Sequence, residues 1–173
     1  MAEAEDGKEA AHRLLGRLLA ERGIPEPDID RRPGGKPVLR SGGLQFSLSH
    51  SGIYALAGVG EAPLGVDVER VKPRRTGLPR YVLSDREFQW FAARGSRWGD
   101  FYTLWTLKES RVKYTGSGLD RSPRTIAVPL LAPGGRARMD GLWFGAWAGE
   151  GWRAACCGEE EPPAELNWEG GRV

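Results

Sequence analysis

Two carboxylates on one short segment are the side chains best suited to chemistry. In residues 65–69, with the sequence GVDVE, strand alternation sends Asp67 and Glu69 to one face and the two valines to the other. Such a pair repels unless it is solvated or neutralised, and a hard divalent cation with oxygen ligands is a suitable neutraliser. The alternative is a half-exposed strand with an acidic outer face. These five residues alone leave both interpretations open.

A third carboxylate comes from residues 105–113, with the sequence WTLKESRVK. Glu109 and Lys113 are four residues apart and therefore share one face of a helix. They either form a surface ion pair worth roughly 0.3–0.5 kcal/mol, or serve as a metal ligand or base (Glu109) and a phosphate contact (Lys113). The spacing by itself does not decide between them.

Two further segments offer groups that bind anions. Residues 46–51, FSLSHS, place Ser49 and His50 where a strand ends, and there they either turn the chain or donate to a phosphate. Residues 34–39, GGKPVL, combine glycines that permit close approach of a ligand with the stiff Pro37 and the charged Lys36. A plain turn before a strand is the alternative. Neither segment has the pattern of a serine-hydrolase elbow or of a Walker A loop.

Composition narrows the possible partners. The 173 residues carry 25 basic and 23 acidic side chains, and the net charge of +2 does not favour a general nucleic-acid binder. The acidic N-terminus does not resemble a signal peptide, and no stretch approaches the ~20 apolar residues of a membrane span, so we expect a cytoplasmic protein without a membrane partner. The adjacent Cys156 and Cys157 predict reduced thiols.

Hydrophobic periodicity predicts alternating helices and strands. We expect the residues after Glu159 to be loosely held, and residues 72–80, rich in Pro and Arg, to form a link. Ser84 and Glu87 form a capping box at the start of the second helix. The expected helices are 8–22, 84–94 and 100–114; the expected strands are 37–40, 44–48, 53–59, 65–70, 125–131, 142–148 and 152–157.

In combination these segments resemble a known family. GKPVL, FSLSHS, GVDVE and WTLKESRVKYTGSGL occur in the order and spacing of the Sfp-type 4′-phosphopantetheinyl transferases, over about residues 8–119. The resemblance implies an α/β (α+β) fold, in which a pseudo-twofold pair of similar halves, each a helix on an antiparallel sheet, encloses coenzyme A. The N-terminal half would be residues 1–64, reduced relative to longer members, and the C-terminal half, with the metal site, residues 65–173. The active site would lie at their junction.

The resemblance also implies roles for individual residues. Asp67, Glu69 and Glu109 match the magnesium ligands of the family, and Asp67, Glu109 and Lys113 its catalytic residues. Glu87 corresponds to an acid of uncertain role. The residues that match contacts to coenzyme A are Lys8, Lys36, Pro37, Ser49, His50 and Lys113.

The implied reaction moves the 4′-phosphopantetheine arm of coenzyme A to a serine of an apo acyl or peptidyl carrier protein and releases 3′,5′-ADP, with Mg²⁺ as cofactor. The order of motifs resembles the monomeric class of the family. Arg74, Arg75 and Arg80 lie in the link, where they would complement an acidic carrier. Two alternatives stay open: a relative that binds coenzyme A without transfer, and a metal-dependent phosphodiesterase.

Overall fold

The computed structural model describes residues 6–31, 35–118 and 122–167. The helices are α1 (Gly7–Glu21), α2 (Leu78–Val82), α3 (Asp85–Ala93) and α4 (Trp98–Thr115), with one 3₁₀ turn at Pro123–Thr125. The strands are β1 (Ile29–Arg31), β2 (Pro37–Leu39), β3 (Gln45–Ser51), β4 (Tyr54–Gly60), β5 (Leu64–Arg70), β6 (Arg136–Met139), β7 (Leu142–Gly149) and β8 (Trp152–Gly158). Among these helices, none is long and apolar enough to cross a membrane.

The strands pair only in antiparallel fashion across the described residues. β1 pairs with β2, β3 pairs with β4, and the remaining strands form one sheet in the order β5-β8-β7-β6. Helix α1 packs on the β3–β4 hairpin, whereas α4 lies across β5, β8 and β7. β3 and β4 also contact β5, so the hairpin and the larger sheet meet along that strand.

Two hydrophobic clusters support these layers. The larger one joins α4 to the four-stranded sheet through residues such as Leu104, Leu107 and Phe144, none of which is exposed. The smaller one joins α1 to β2 and β3 through Leu15, Leu19, Leu39 and Phe46.

Most of the predicted elements are confirmed to within two or three residues, including the capping box of Ser84 and Glu87 on α3. The strand predicted at 125–131 is wrong: its first residue ends a 3₁₀ turn and Pro129, which has no N–H to donate, interrupts the rest. The strand that pairs with β7 next to β8 is instead β6. The link predicted at 72–80 overlaps the start of α2.

The segment after Glu159 is also better held than predicted. The Trp147 indole N–H donates to the backbone oxygen of Ala164 at 3.1 Å. Arg136 forms a salt bridge with Glu161 at 2.8 Å, and Pro162 is buried. The tail therefore packs against β6 and β7 over residues 159–164.

A buried ion pair fastens α3 to α4. The Lys108 ammonium lies 2.8 Å from a Glu87 carboxylate oxygen, and both side chains are almost fully buried. Lys108 also donates to the backbone oxygens of Pro123 and Ile126, while Glu87 accepts from the Ser84 N–H. Glu87, whose role the resemblance leaves uncertain, is thus a structural partner of Lys108.

Replacing Glu87 by Gln keeps the shape of the side chain but leaves the Lys108 charge uncompensated. We expect Glu87→Gln to lower the free energy of unfolding by about 3 kcal/mol, because a buried charge loses its partner. Urea denaturation measures the change, and Arg40→Ala, which removes an exposed ion pair with Asp28, is the control. The further change Lys108→Met should recover part of the loss; a wild-type denaturation midpoint for Glu87→Gln would contradict this role.

Candidate active site

The site begins with a close approach between β5 and α4. A Cβ atom on Gly65 would overlap the Ser110 carbonyl oxygen and the Tyr114 amide nitrogen. Only glycine therefore allows the strand to lie directly against the helix backbone. This contact places Asp67 beside the face of α4 that carries Glu109 and Lys113.

Three alternate serines of β3 hold β5 in register. Ser47 accepts the Val66 N–H at 3.0 Å, Ser49 donates to Asp67 Oδ1 at 2.8 Å and Ser51 donates to Glu69 Oε2 at 2.6 Å. Ser49 and Ser51, two residues apart on β3, reach the carboxylates of Asp67 and Glu69, two residues apart on β5. Ser49, a predicted contact to coenzyme A, here positions the acidic strand.

Lys113 pairs with Asp67. Its ammonium lies 2.7 Å from Asp67 Oδ1 and 2.8 Å from Ser49 Oγ. Asp67 is only 4% exposed, so this is a largely buried pair whose lysine end reaches solvent. The surface ion pair between Glu109 and Lys113, one of the two interpretations of their spacing, is not the arrangement found.

Glu109 faces the same group of charges. Burial, followed by the charge of Asp67, raises its pKa to about 7, and Lys113 offsets part of this rise. Burial also raises the pKa of Asp67 to about 6, against the lowering effect of Lys113. The charge of Glu69 raises both pKa values, so Glu69 lies close enough to act on Asp67 and Glu109.

Two carboxylate oxygens in this group have no hydrogen-bond partner among the described residues: Asp67 Oδ2 and Glu109 Oε1, both buried. Buried polar atoms are seldom left unpaired, and carboxylate oxygens suit a hard cation. The donor set therefore fits Mg²⁺, although no three acidic, histidine or cysteine side chains of the described part of the chain form a ready metal site.

A cavity of about 250 Å³ opens next to Lys113. One wall is the turn of Gly35, Lys36 and Pro37, and the other is the end of α4 with Gly116. The Lys36 ammonium donates to the backbone oxygens of Leu64 and Tyr114 at 3.1 and 2.9 Å. Lys36 thus ties the two walls together at the C-terminal end of α4, where a positive charge is favourable.

The remaining predicted residues are Lys8, at the start of α1, and His50, near the end of β3. Lys8 and His50 are both exposed, and a Cβ atom on Gly7 would lie 3.4 Å from the His50 Cβ. The N-terminus of α1 therefore meets the end of β3. The Asp6 carboxylate already accepts the Lys8 N–H at this helix end, so an anion would be held here by the exposed side chains of Lys8 and His50 and not by the helix N–H groups.

A second cavity, of about 410 Å³, is lined by Glu69 but by neither Asp67 nor Glu109. Glu69 lines it at one end, with Tyr102 and Trp105 of α4 along one wall. Arg74 lies at the cavity and donates to the Tyr102 hydroxyl at 3.2 Å. The charged group thus stands between two cavities.

Sequence reasoning missed several of these residues. The alternation of Ser47, Ser49 and Ser51 opposite Asp67 and Glu69 was a visible signal, because both runs have the period of a strand. The role of Gly65 had no such signal, since the sequence does not show which backbone approaches it.

Comparison with known proteins gives the family. A model of the 4′-phosphopantetheinyl transferase superfamily matches residues 63–157, which span β5, α4 and the terminal sheet. The 4′-phosphopantetheinyl transferase psf-1 of Bacillus pumilus is 31% identical over 73% of this chain, and Sfp of Bacillus subtilis is 30% identical over 73%. The human L-aminoadipate-semialdehyde dehydrogenase-phosphopantetheinyl transferase is 32% identical over 85%.

The chain covers 59%, 62% and 58% of the lengths of these three relatives, respectively. The segment that matches the family model includes the acidic strand β5 and the helix α4 that face each other in this site. The chain is a member of the 4′-phosphopantetheinyl transferase superfamily.

Proposed function

We propose that this protein transfers the 4′-phosphopantetheine arm of coenzyme A to a serine of an apo carrier protein and releases 3′,5′-ADP. The observation that supports it best is the buried pair of Asp67 and Lys113 beside Glu109, between two cavities. Coenzyme A has a nucleotide at one end and a flexible arm at the other. If each end occupies one cavity, the pyrophosphate between them lies beside these charged side chains.

The first cavity takes the nucleotide end of the donor in this proposal. Lys36, Pro37 and Lys113 line it, whereas Lys8 and His50 lie outside its lining, are exposed, and would contact a phosphate of the donor there. Ser49 acts indirectly, because its hydroxyl already bonds to Asp67 and Lys113. The arm extends past Glu69 into the second cavity, whose apolar wall is formed by α4.

Asp67, Glu69 and Glu109 would hold Mg²⁺ at the pyrophosphate. The support is the pair of unpartnered buried oxygens on Asp67 and Glu109 together with the mutual repulsion of the carboxylates. When bound, the ion would neutralise these charges and stabilise negative charge on the phosphate oxygens.

The transfer itself forms one bond and breaks one. The carrier serine oxygen attacks the β-phosphorus, and the bond from that phosphorus to the oxygen of the departing 3′,5′-ADP breaks. Lys113 stabilises the charge that grows on the pyrophosphate. Glu109 accepts the serine proton, directly or through a water molecule.

The larger arrangement belongs to the same proposal. Residues 1–64 and 65–173 would be the two pseudo-twofold halves, each a helix on an antiparallel sheet, with the reaction at their junction. The packing of α1 on β3–β4 and of α4 on β5-β8-β7 supports it. We propose that the protein acts as a monomer in the cytoplasm, on coenzyme A and an acyl or peptidyl carrier.

Transfer is tested by mixing apo carrier protein, coenzyme A, Mg²⁺ and the enzyme, and measuring the carrier mass. We expect a gain of one phosphopantetheine and a rate at least about 10²-fold lower for Glu109→Gln, because the proton acceptor is lost. Glu21→Gln, an equally conservative change on the exposed end of α1, is the control and should transfer normally.

Other outcomes would overturn the proposal. Unimpaired transfer by Glu109→Gln would remove Glu109 from the chemistry. Tight nucleotide binding in calorimetry without modification of several carrier types would indicate a binding protein. Release of phosphopantetheine in the absence of a carrier would indicate a phosphodiesterase.

Stability should depend on pH through the same carboxylates. The folded-state pKa values of Asp67 and Glu109, about 6 and about 7, lie above their ordinary values of 3.8 and 4.5. The folded protein therefore binds more protons between these limits, and its stability falls as the pH rises from about 4 to about 7. Urea denaturation in a chelator between pH 4 and pH 8 measures the slope.

Glu109→Gln is the informative variant in that experiment, because it cannot ionise. We expect a shallower fall between pH 5 and pH 7 and a more stable protein than wild type at pH 8 without metal. Identical slopes for the two proteins would show that Glu109 ionises without cost in the folded state.

A further inference from the structure

The last serine of β3 has one side-chain hydrogen bond within the described part of the chain, and that bond goes to Glu69. Ser51 Oγ donates to Glu69 Oε2 at 2.6 Å. Bonds from a hydroxyl to a carboxylate at about 2.5–2.7 Å are roughly twice as strong as bonds between neutral groups. The bond from Ser51 falls in this strong class. The proposed reaction gives the Ser51 hydroxyl no role.

A rigid part of the fold carries Ser51. It is the last paired residue of β3, opposite Tyr54, and the tight turn between them has Gly52 at a φ of +61°, which suits glycine. The Tyr54 hydroxyl donates to the backbone oxygen of Glu150 at 3.1 Å, and its ring packs on Trp152 with the ring centroids 6.4 Å apart. The end of the hairpin is therefore tied to the β7–β8 turn, and the Ser51 hydroxyl is presented from a fixed backbone.

Glu69 has few other restraints. It is half-buried near the end of β5 and lines the second cavity. Arg74 lines the same cavity, and its pKa is raised first by the Tyr102 hydroxyl and also by the charge of Glu69. A glutamate side chain has much rotamer freedom to lose when it is fixed. Without the bond from Ser51, the Glu69 carboxylate would be drawn along the cavity toward Arg74.

Asp67, in contrast, is restrained twice. Ser49 and Lys113 both donate to its Oδ1 and leave Oδ2 without a partner among the described residues. Ser51 does the same for Glu69, because it occupies Oε2 and leaves Oε1 for a further ligand. Removal of Ser49 would still leave Lys113 on Asp67. Glu69 has no such second donor in the described part of the chain, so its orientation depends on Ser51.

We infer that Ser51 is a positioning residue for the divalent cation, because its hydroxyl holds the Glu69 carboxylate beside Asp67 and Glu109. This inference rests on the proposed function, in which these three carboxylates bind Mg²⁺. It adds that the affinity for the ion depends on a hydroxyl that contacts neither the ion nor the donor. Hydrogen bonds that orient metal ligands commonly change metal affinity by about 10- to 100-fold.

Three variants separate this role from simple support of the hairpin. Ser51→Ala removes the hydroxyl, whereas Ser51→Thr keeps it on a residue that is favoured in strands. Ser122→Ala is the control, since Ser122 is exposed and forms no side-chain cap bond at the 3₁₀ turn.

Binding of Mn²⁺ in the presence of coenzyme A and the absence of a carrier gives the readout. The EPR signal of the free ion measures it, after subtraction of the binding to coenzyme A alone. We expect the Kd for Mn²⁺ to rise about 10-fold in Ser51→Ala and to stay near the wild-type value in Ser51→Thr and Ser122→Ala. Competition with Mg²⁺ and Ca²⁺ should show the larger loss for Mg²⁺, because Mg²⁺ requires a near-ideal octahedron whereas Ca²⁺ accepts flexible ligands.

A double-mutant cycle with Glu69→Ala tests whether Ser51 acts through Glu69. We expect Ser51→Ala to weaken Mn²⁺ binding no further when the Glu69 carboxylate is absent, because the hydroxyl then has no ligand to orient. An equal loss in both backgrounds would overturn the inference, as would a loss in Ser51→Thr as large as that in Ser51→Ala.

A wild-type Kd for Mn²⁺ in Ser51→Ala, with or without a lowered melting temperature, would reduce Ser51 to a support of the hairpin. That result would overturn this inference and leave the proposed function intact. Failure of the wild-type protein to bind Mn²⁺ with coenzyme A would defeat the proposed metal site and the positioning role with it. Failure of the wild-type protein to modify any carrier would defeat the proposed function itself.

Discussion

The buried contact between Asp67 and Lys113 is the interaction on which the rest of the site depends. It requires β5 to lie against the backbone of α4, and Gly65 makes that approach possible. Three serines of β3 complete it, since their hydroxyls bond to Val66, Asp67 and Glu69 of β5. β3, β5 and α4 thus converge on one charged pair, and the two cavities lie beside it.

The same contact leaves an electrostatic problem unsolved. One ammonium serves Asp67, while Glu109 and Glu69 add negative charge nearby, and burial raises the pKa of both Asp67 and Glu109. Such a group is costly to ionise, yet two of its oxygens have no partner among the described residues. In the proposed function, a divalent cation brought with a pyrophosphate would offset this cost, and binding of the donor would therefore stabilise the protein. Binding and charge neutralisation would be one event.

Much of this arrangement is readable from the sequence, but unevenly. The period of two in GVDVE and of four between Glu109 and Lys113 correctly predicts which side chains share a face. The partner of Lys113 could not be predicted, because Asp67 lies 46 residues away and only the packing of β5 on α4 brings it close. The resemblance implies that Lys36 contacts coenzyme A. In the structure its ammonium also donates to the backbone oxygens of Leu64 and Tyr114. The sequence does not predict these two bonds, because their acceptors belong to separate elements. The strand predicted at 125–131 was wrong, because the prediction rested on the apolar residues of this segment and gave too little weight to Pro129, which has no N–H to donate.

The most direct measurement is a crystal structure with coenzyme A and Mn²⁺, whose anomalous scattering locates the ion. The account predicts one peak within about 2.2 Å of Asp67 Oδ2 and Glu109 Oε1, next to the pyrophosphate, with Lys113 beside the same phosphates. A peak bound elsewhere, or carboxylates that turn away from each other into solvent with the nucleotide in place, would contradict it.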